Sequence, residues 1–152
     1  MKLFYCICLL LILHASVEAQ KNHRLPEIGV VQNLENDSLL KSFGYRYLVE
    51  SVNKLVSPRS VSDEQFQANL QKIKALTIPL YALNIFIPGE LKVVGPDVNE
   101  EAVLAYVEGV FKRCNSVGVD RIIWGSGGSR RVPDGFDREK ATTQFVNIAK
   151  KI

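Results

Sequence analysis

The sequence is poor in the residues that build covalent or metal-bound frameworks. Of its three cysteines, Cys6 and Cys8 fall in the N-terminal segment and only Cys114 lies in the body of the chain. An internal disulfide in that body is therefore excluded. Only two histidines are present, and no His, Cys, Asp and Glu residues cluster at metal-ligand spacing. The body must be stable through its apolar core, and we assign no metal ligand and no catalytic residue to it.

A strong excess of charge of one sign is missing as well. The 19 lysines and arginines nearly balance the 16 aspartates and glutamates, which leaves a formal net charge of +3. The basic residues are scattered and are not interleaved with aromatic residues, so nucleic acid is not an expected partner. With 47% hydrophobic and 23% charged residues, the composition is that of one globular domain.

The longest apolar run stands at the N-terminus. Lys2 precedes an apolar stretch over residues 3–13, and the small-residue pattern that ends at Ala19 suits signal peptidase. The run is shorter than the roughly 20 residues of a membrane-spanning helix. We therefore expect a signal peptide over residues 1–19, no stable membrane span, and export of residues 20–152 to the periplasm or out of the cell. A permanent N-terminal anchor is the alternative.

The remaining chain repeats a strand and a helix four times. Apolar, β-rich runs predict strands at residues 27–31, 45–50, 78–87 and 121–124. Apolar positions at helical spacing predict helices at residues 39–43, 62–76, 97–118 and 137–152. The predicted N-caps are Ser62, Asp97 and Asp137, and Gly118 is predicted to end the third helix. Because the strands are continuous apolar runs, they are typical of a parallel sheet with helices packed outside. The predicted fold class is α/β.

Two architectures accommodate four parallel βα units. One is a small doubly wound domain, and the other is a partial (βα)8 TIM barrel. The second is favoured because a complete barrel needs about 250 residues and the last helical pattern stops at the apolar Ile152. We expect residues 20–152 to form the truncated N-terminal half of such a barrel. Left alone, this half would have an unpaired edge strand and an exposed inner sheet face.

Candidate binding residues stand at the carboxyl ends of the predicted strands, where α/β proteins bind ligands. A carboxylate ends the second strand, an amide interrupts the third, and an indole with a glycine-rich loop follows the fourth. The predicted substrate-binding residues are Glu50, Asn84, Trp124, Ser126, Gly127, Gly128, Arg130 and Arg131.

Each of these residues also has a structural alternative. Backbone N–H groups of the glycine loop suit a phosphate or hydroxyl, yet a tight turn explains the glycines equally well. Arg130 and Arg131 suit an anion, although adjacent side chains point apart and at most one would line a site. The structural alternatives are a solvated glutamate for Glu50, a satisfied core amide for Asn84 and a core-packing role for Trp124.

These segments resemble the xylose-isomerase-like TIM-barrel family of sugar phosphate isomerases and epimerases. The resemblance is carried by GYRYLVE at 44–50, LNIFIPG at 83–89, VVGP at 93–96 and WGSGGSRRVP at 124–133. It extends over the body of the chain but covers only the first half of the family's barrel. The segment at 124–133 is the most distinctive of the four.

The resemblance implies proton transfer next to a sugar carbonyl, assisted by a divalent metal, Mn²⁺ or Mg²⁺, with carboxylates as base and acid. In that family the metal ligands come from strands five to eight, so the metal is expected only in the intact protein and not in this chain alone. The related apurinic endonucleases use histidines on early strands, where this chain has Asn84 and Ser126.

The expected function is thus that of an exported sugar isomerase or epimerase-like protein. This chain would supply only substrate-side strand ends and would be inactive by itself. A non-catalytic carbohydrate-binding barrel protein is the alternative. The expected partner is a small sugar or sugar derivative, while its identity, its phosphorylation and the oligomeric state stay open.

Overall fold

The computed structural model describes residues 26–125 and 127–152. Strands and helices alternate along them. The elements are β1 (Gly29–Val31), a 3-10 turn (Leu34–Asn36), α1 (Asp37–Ser42), β2 (Tyr47–Ser51), α2 (Val52–Leu55), α3 (Asp63–Lys74), β3 (Leu80–Asn84), α4 (Glu100–Val117), α5 (Gly127–Arg130) and α6 (Arg138–Ala149). The predicted signal peptide over residues 1–19 and the candidate site residue Ser126 lie outside the described residues.

The three strands form one open parallel sheet in the order β1-β2-β3. Gly29 of β1 pairs with Tyr47 of β2, and Glu50 of β2 pairs with Leu83 of β3. The register shifts between β2 and β3, and Tyr81 is the extra residue in β3. The prediction of an α/β fold with a parallel sheet is confirmed.

The predicted fourth strand forms only a single parallel bridge, between Leu83 and Ile122. Leu83 N–H donates to the carbonyl of Arg121 at 3.0 Å, and Ile123 N–H donates to the carbonyl of Leu83 at 2.7 Å. Ile123 is 49% exposed, so the prediction of a buried strand here is wrong. Residues 121–124 continue the parallel arrangement beside β3 without forming a regular strand.

Side-chain caps begin the longer helices. Ser62 caps α3 and Asp137 caps α6, each by accepting the N–H three residues further on, as predicted. Helix α4 is capped by Asn99 and not by the predicted Asp97, and it ends at Gly118, whose φ of 71° is left-handed. Within the described residues, no helix combines the length and apolar character that a membrane crossing requires.

The apolar core lies between the sheet and the helices. Its fully buried apolar side chains are Leu48, Val52, Val56, Leu83, Ile87, Val93, Val103, Val110 and Ile148. Cys114 is buried in the same core, and burial raises the pKa of its thiol to about 11. The thiol is therefore protonated at neutral pH and packs as a small apolar group.

The second face of the sheet, here called the open face, is partly exposed: Val49, Ser51 and Ala82 on it are buried, whereas other residues are not. Because side chains alternate along a strand, the register puts Val31 and Ile123 on the face opposite the buried Leu83. The extra residue Tyr81 also lies on that face, where its ring contacts Tyr47. Val31, Tyr81 and Ile123 are 60%, 42% and 49% exposed, respectively. A parallel sheet is normally covered on both faces, and in the described residues the open face has that cover only in part.

Two aromatic rings lie together on the open face. The rings of Tyr47 and Tyr81 are 4.6 Å apart between centroids, and the Arg121 guanidinium lies 4.4 Å from the centroid of Tyr81. The Tyr47 ring also covers Gly29, where a Cβ atom would lie 1.8 Å from Cε2 of the ring. Glycine at this position therefore lets the ring lie flat on the first strand.

Candidate functional site

A cleft of about 540 Å³, here called the mouth cleft, opens where loops follow the parallel strands. Parallel strands bring their carboxyl ends to one edge of a sheet, so the loops after β2, β3 and residues 121–124 meet there. The lining residues are Asn53, Ser57, Arg59, Ser60, Ile85, Ile87, Pro88, Gly89, Glu90, Gly127 and Gly128. This is the kind of position at which α/β proteins bind small ligands.

One cation and one anion line the mouth cleft. Arg59 and Glu90 are both exposed, and within the described residues neither side chain forms a hydrogen bond or an ion pair. Ser60 Oγ, in contrast, donates to the carbonyl of Asn53 at 2.7 Å. The guanidinium and the carboxylate are therefore available to a ligand, with five donors on one and two acceptor oxygens on the other.

Strained backbone borders the mouth cleft at Ile85. Its φ of 52° is the only positive value among the described non-glycine residues, and a β-branched residue adopts that conformation rarely. The strain ends β3 at Asn84, so the predicted strand through residue 87 was too long. Because Phe86 and Ile87 on its C-terminal side are buried, the core holds Ile85 in place. Strain of this kind concentrates at functional sites.

Asn84 adjoins this strained residue and has an unsatisfied amide oxygen. It pairs in register with Ser51, which places it on the open face at the carboxyl end of β3. Its Oδ1 atom is buried without a hydrogen-bond partner in the described structure. An unpaired buried acceptor costs about 1–3 kcal/mol, and a ligand that donates a hydrogen bond would recover this cost.

A buried tyrosine supports the mouth cleft from below. Tyr106 Oη donates to the carbonyl of Phe86 at 3.0 Å. Burial raises the pKa of Tyr106, and its hydrogen bond with Ser57 partly opposes that rise. Ser57 Oγ in turn accepts the N–H groups of Arg59 and Ser60, both at 3.3 Å. These contacts fix the loop that carries the cleft's arginine.

The glycine loop contributes backbone to the mouth cleft. Gly127 and Gly128 begin the short helix α5, where the sequence predicts a loop without helical residues. A Cβ atom at Gly128 would lie 3.1 Å from Cα of Gly89, and Lys92 Nζ donates to the carbonyl of Gly128 at 3.1 Å. The glycine at 128 thus permits two loops to touch through their backbones.

Glu50 lies in a different polar cluster. Its carboxylate is 5% exposed, and Oε1 accepts the N–H of Ser51 at 2.8 Å and lies 3.5 Å from Lys54 Nζ. Lys54 Nζ also donates to Asn33 Oδ1 at 2.6 Å. A small pocket of about 170 Å³ adjoins this cluster and includes Asn69. Glu50 is thus neither solvated nor a lining residue of the mouth cleft.

Trp124 packs against aromatic residues of the core. Its ring centroid lies 5.8 Å from that of Phe86 and 5.1 Å from that of Phe145. Its indole Nε1 is buried without a hydrogen-bond partner in the described structure. The contacts are those of a packing residue, and Trp124 does not line the mouth cleft.

The two predicted arginines also lie outside the mouth cleft. Arg130 lines a separate apolar pocket with Val94 and Phe145, and Arg131 is exposed. Of the predicted site residues described by the structure, only Gly127 and Gly128 line the mouth cleft, and Asn84 adjoins it.

The sequence prediction omitted the polar residues Asn53, Arg59, Ser60 and Glu90. A signal existed for Arg59 and Ser60, since Pro58 and its neighbouring serines predict a loop after the second strand. The rule that selected the glycine loop applies equally to this one. The sequence prediction selected the glycine-rich loop because its composition is unusual. It omitted the loop around Pro58, which lies at the same edge of the sheet.

The mouth cleft does not fit a divalent metal ion. Among the described residues, Glu90 is the one carboxylate that lines it, and these residues contain no group of three or more His, Cys, Asp and Glu side chains placed to hold an ion. Hard cations such as Mg²⁺ take several oxygen ligands. The cleft's own groups suit hydroxyl groups and anions instead.

Comparisons of the chain with protein-family models, with curated proteins and with solved structures find no match in any of the three.

Proposed function

We propose that this chain is the substrate-side part of an exported sugar isomerase or epimerase-like barrel protein. The observation that carries the proposal is the mouth cleft at the carboxyl ends of parallel strands, lined by the strained Ile85. Asn84, with its buried and unsatisfied Oδ1, directly precedes Ile85 in the chain. Ligands of α/β proteins bind at this edge. The resemblance of the strand ends to xylose-isomerase-like barrels supports sugars as the ligand class.

The groups around the mouth cleft are those that bind a sugar. A carboxylate such as Glu90 accepts hydrogen bonds from two neighbouring hydroxyl groups, and the amide of Asn53 both donates and accepts. Arg59 donates to a hydroxyl, carboxylate or phosphate oxygen. Asn84 Oδ1 accepts from a further hydroxyl. A small polyol, free or carrying one anionic group, satisfies all four.

Proton transfer next to a carbonyl requires groups that these residues do not supply. Glu90 is a single carboxylate, whereas the reaction needs both a base and an acid. The metal and the second acid–base group would have to come from strands other than those described. We therefore assign this chain a part in sugar binding and no catalytic step.

Calorimetric titration of the full chain with free and phosphorylated pentoses and hexoses tests sugar binding. We expect saturable binding by the wild type and at least about tenfold weaker binding by Arg59→Ala, since a lost hydrogen bond to a charged group costs about 1.5–3 kcal/mol. Arg46→Ala is the matched control, because it removes an exposed arginine at the amino end of β2. Binding that is absent for every sugar, or equal in both variants, contradicts the proposal.

A non-catalytic carbohydrate-binding protein is the second candidate. It is favoured by one observation, the lack of a metal-binding cluster in the described residues. NMR spectra of each bound sugar, recorded over days with and without Mn²⁺ or Mg²⁺, discriminate the two. Conversion of the sugar supports an isomerase or epimerase, and metal-independent binding without conversion supports the second candidate.

A further inference from the structure

One face of α4 contacts two segments that form the mouth cleft. Positions three and four residues apart lie on the same side of a helix, so Tyr106, Gly109 and Arg113 form one row, here called the α4 row. Tyr106 Oη donates to the carbonyl of Phe86 at 3.0 Å, the residue after the strained Ile85. The first member of the α4 row therefore supports the wall of the cleft that contains Ile85.

The rest of the row contacts the loop over residues 57–61, here called the Arg59 loop. Arg113 Nη1 donates to the carbonyl of Ser57 at 3.0 Å and to that of Val61 at 2.8 Å. These carbonyls stand on either side of Arg59 in the chain, and the N–H of Val61 donates to the carbonyl of Ser57 at 3.0 Å. One guanidinium nitrogen therefore holds both ends of the loop whose arginine lines the mouth cleft.

Gly109 lets α4 approach the Arg59 loop closely. A Cβ atom at position 109 would lie 2.9 Å from Cγ of Pro58, which is shorter than the roughly 3.5–4.0 Å between packed carbon atoms. The helix backbone therefore lies directly against the loop, with no side chain between them. A larger residue at this position would push the loop away from Arg113.

The Arg113 side chain is itself held in place. It is 13% exposed, its Nη2 donates to Asp63 Oδ1 at 2.7 Å, and its guanidinium carbon lies 4.8 Å from the ring centroid of Phe66. The planar guanidinium fork contacts two carbonyls, a carboxylate and an aromatic ring at once, which a lysine ammonium cannot do. The Arg59 loop is thus ordered before a ligand arrives, and groups that are ordered beforehand lose less conformational freedom on binding.

We propose that Arg113 is a positioning residue for Arg59. By holding the Arg59 loop against α4, it keeps the Arg59 guanidinium at the mouth cleft and strengthens the binding of a ligand there. Arg113 does not itself line the cleft, so its effect on the ligand passes through Arg59. This inference rests on the proposed function, in which Arg59 binds the sugar.

Amide hydrogen exchange of the full chain tests the holding of the loop without a ligand. Arg113→Ala should speed exchange of the Val61 amide at least about tenfold and leave the middle of α3 unchanged, because only the loop loses contacts. Lys112→Ala is the matched control, because it removes an exposed cation one residue away on the same helix. An unchanged loop, or equal acceleration in the loop and in α3, overturns the proposal.

A second variant covers the case in which Arg113→Ala does not fold, which circular dichroism reports. Arg113→Lys keeps the charge and most of the side-chain stem but loses the planar fork. It should therefore speed exchange in the Arg59 loop as well, by a smaller factor. Wild-type exchange of the loop in a folded Arg113→Lys chain overturns the proposal.

Calorimetric titration tests the consequence for binding, with glucose, glucuronate and glucose 6-phosphate as probes. Arg113→Ala should weaken the binding of a probe about fivefold in the wild-type chain and less than about twofold in the Arg59→Ala chain, since its effect passes through Arg59. Equal weakening in both backgrounds, or none in either, overturns the proposal. If the wild type binds none of the three sugars, the proposed function fails, and hydrogen exchange alone then decides whether Arg113 holds the loop.

Discussion

Two polar regions near the carboxyl edge of the sheet differ in how completely their groups are paired. In the cluster around Glu50, the carboxylate, Lys54 and Asn69 all have partners inside the protein. Around the mouth cleft, Arg59 and Glu90 form no hydrogen bond or ion pair with described residues, and Asn84 Oδ1 is buried without one. Paired groups hold elements together, whereas unpaired groups at a cleft are open to a ligand. Whether a polar group has a hydrogen-bond or ion-pair partner inside the protein therefore distinguishes a structural role from a binding role better than the residue type does.

The difference arises from one step in strand register. Glu50 pairs with Leu83 and shares its helix-covered face, whereas the next pair, Ser51 and Asn84, shares the open face. The extra residue Tyr81 shifts β3 relative to β2 just before these pairs. Asn84, four residues after the helix-facing Leu80, is thereby sent to the open face, opposite the face of Glu50.

The largest expected effect is on stability, from Asn69→Leu. Asn69 Nδ2 donates to the carbonyls of Lys54 and Leu55, both at 3.0 Å, and Asn69 is 3% exposed. Its loss leaves two carbonyls unsatisfied, so we expect the free energy of unfolding to fall by about 3 kcal/mol. Urea denaturation measures this. A fall below about 1 kcal/mol would mean that the cluster is not the closed network described.

Asn84→Leu should show the opposite pattern. Because Asn84 Oδ1 has no partner in the free protein, its replacement should change the free energy of unfolding by less than about 1 kcal/mol. Sugar affinity, measured by calorimetry, should fall about tenfold, which corresponds to about 1.4 kcal/mol. The two asparagines are matched controls for each other. Equal losses of stability in Asn69→Leu and Asn84→Leu would contradict the difference between the Glu50 cluster and the mouth cleft.

Glu50→Gln should have a smaller effect. The substitution keeps an acceptor for the N–H of Ser51 and removes only the attraction to Lys54, whose side chain is 59% exposed. We expect a loss of about 0.5 kcal/mol in urea denaturation and no change in sugar affinity. Weakened sugar binding in this variant would move Glu50 into the binding site.

The smallest expected effect is a change in the acid limb of the stability profile. A backbone hydrogen bond of Glu35 and the hydrogen bond from Lys72 lower the pKa of Glu35 below its ordinary value of 4.5. A lowered pKa stabilises the folded state above the ordinary value, and this contribution disappears as the pH falls through the lower, folded value. Because Glu35 is exposed, Glu35→Gln should remove only about 0.3 kcal/mol of this dependence. Unfolding followed between about pH 5 and pH 3 measures it.

Local patterns predicted much of the fold. Apolar runs located three strands, the capping residues Ser62 and Asp137 located two helix starts, and Gly118 located a helix end. These features depend on neighbours within a few positions along the chain, so a single sequence contains the information. The (βα)8 barrel stays a prediction, since the described sheet is open.

The orientation of the candidate site residues could not be predicted, because it depends on contacts between residues that are distant in the sequence. Whether Asn84 faces the helices or the open face follows from the extra residue Tyr81 in β3, which no local pattern announces. The φ of Ile85 is positive because the core holds the residues after it. The continuous run of apolar residues through residue 87 predicts an unbroken strand and therefore gives no sign of this conformation. Residues 121–124 are apolar enough for a buried strand, yet they have a partner on one side only.

Gly29 and Tyr47 constrain each other during sequence change. Any side chain at position 29 would collide with the aromatic ring laid across it, so the first strand tolerates a larger residue only if position 47 becomes smaller at the same time. A single substitution at position 29 would be eliminated more readily than the compensated double change. Sequences that diverge from this one should therefore exchange the two residues together.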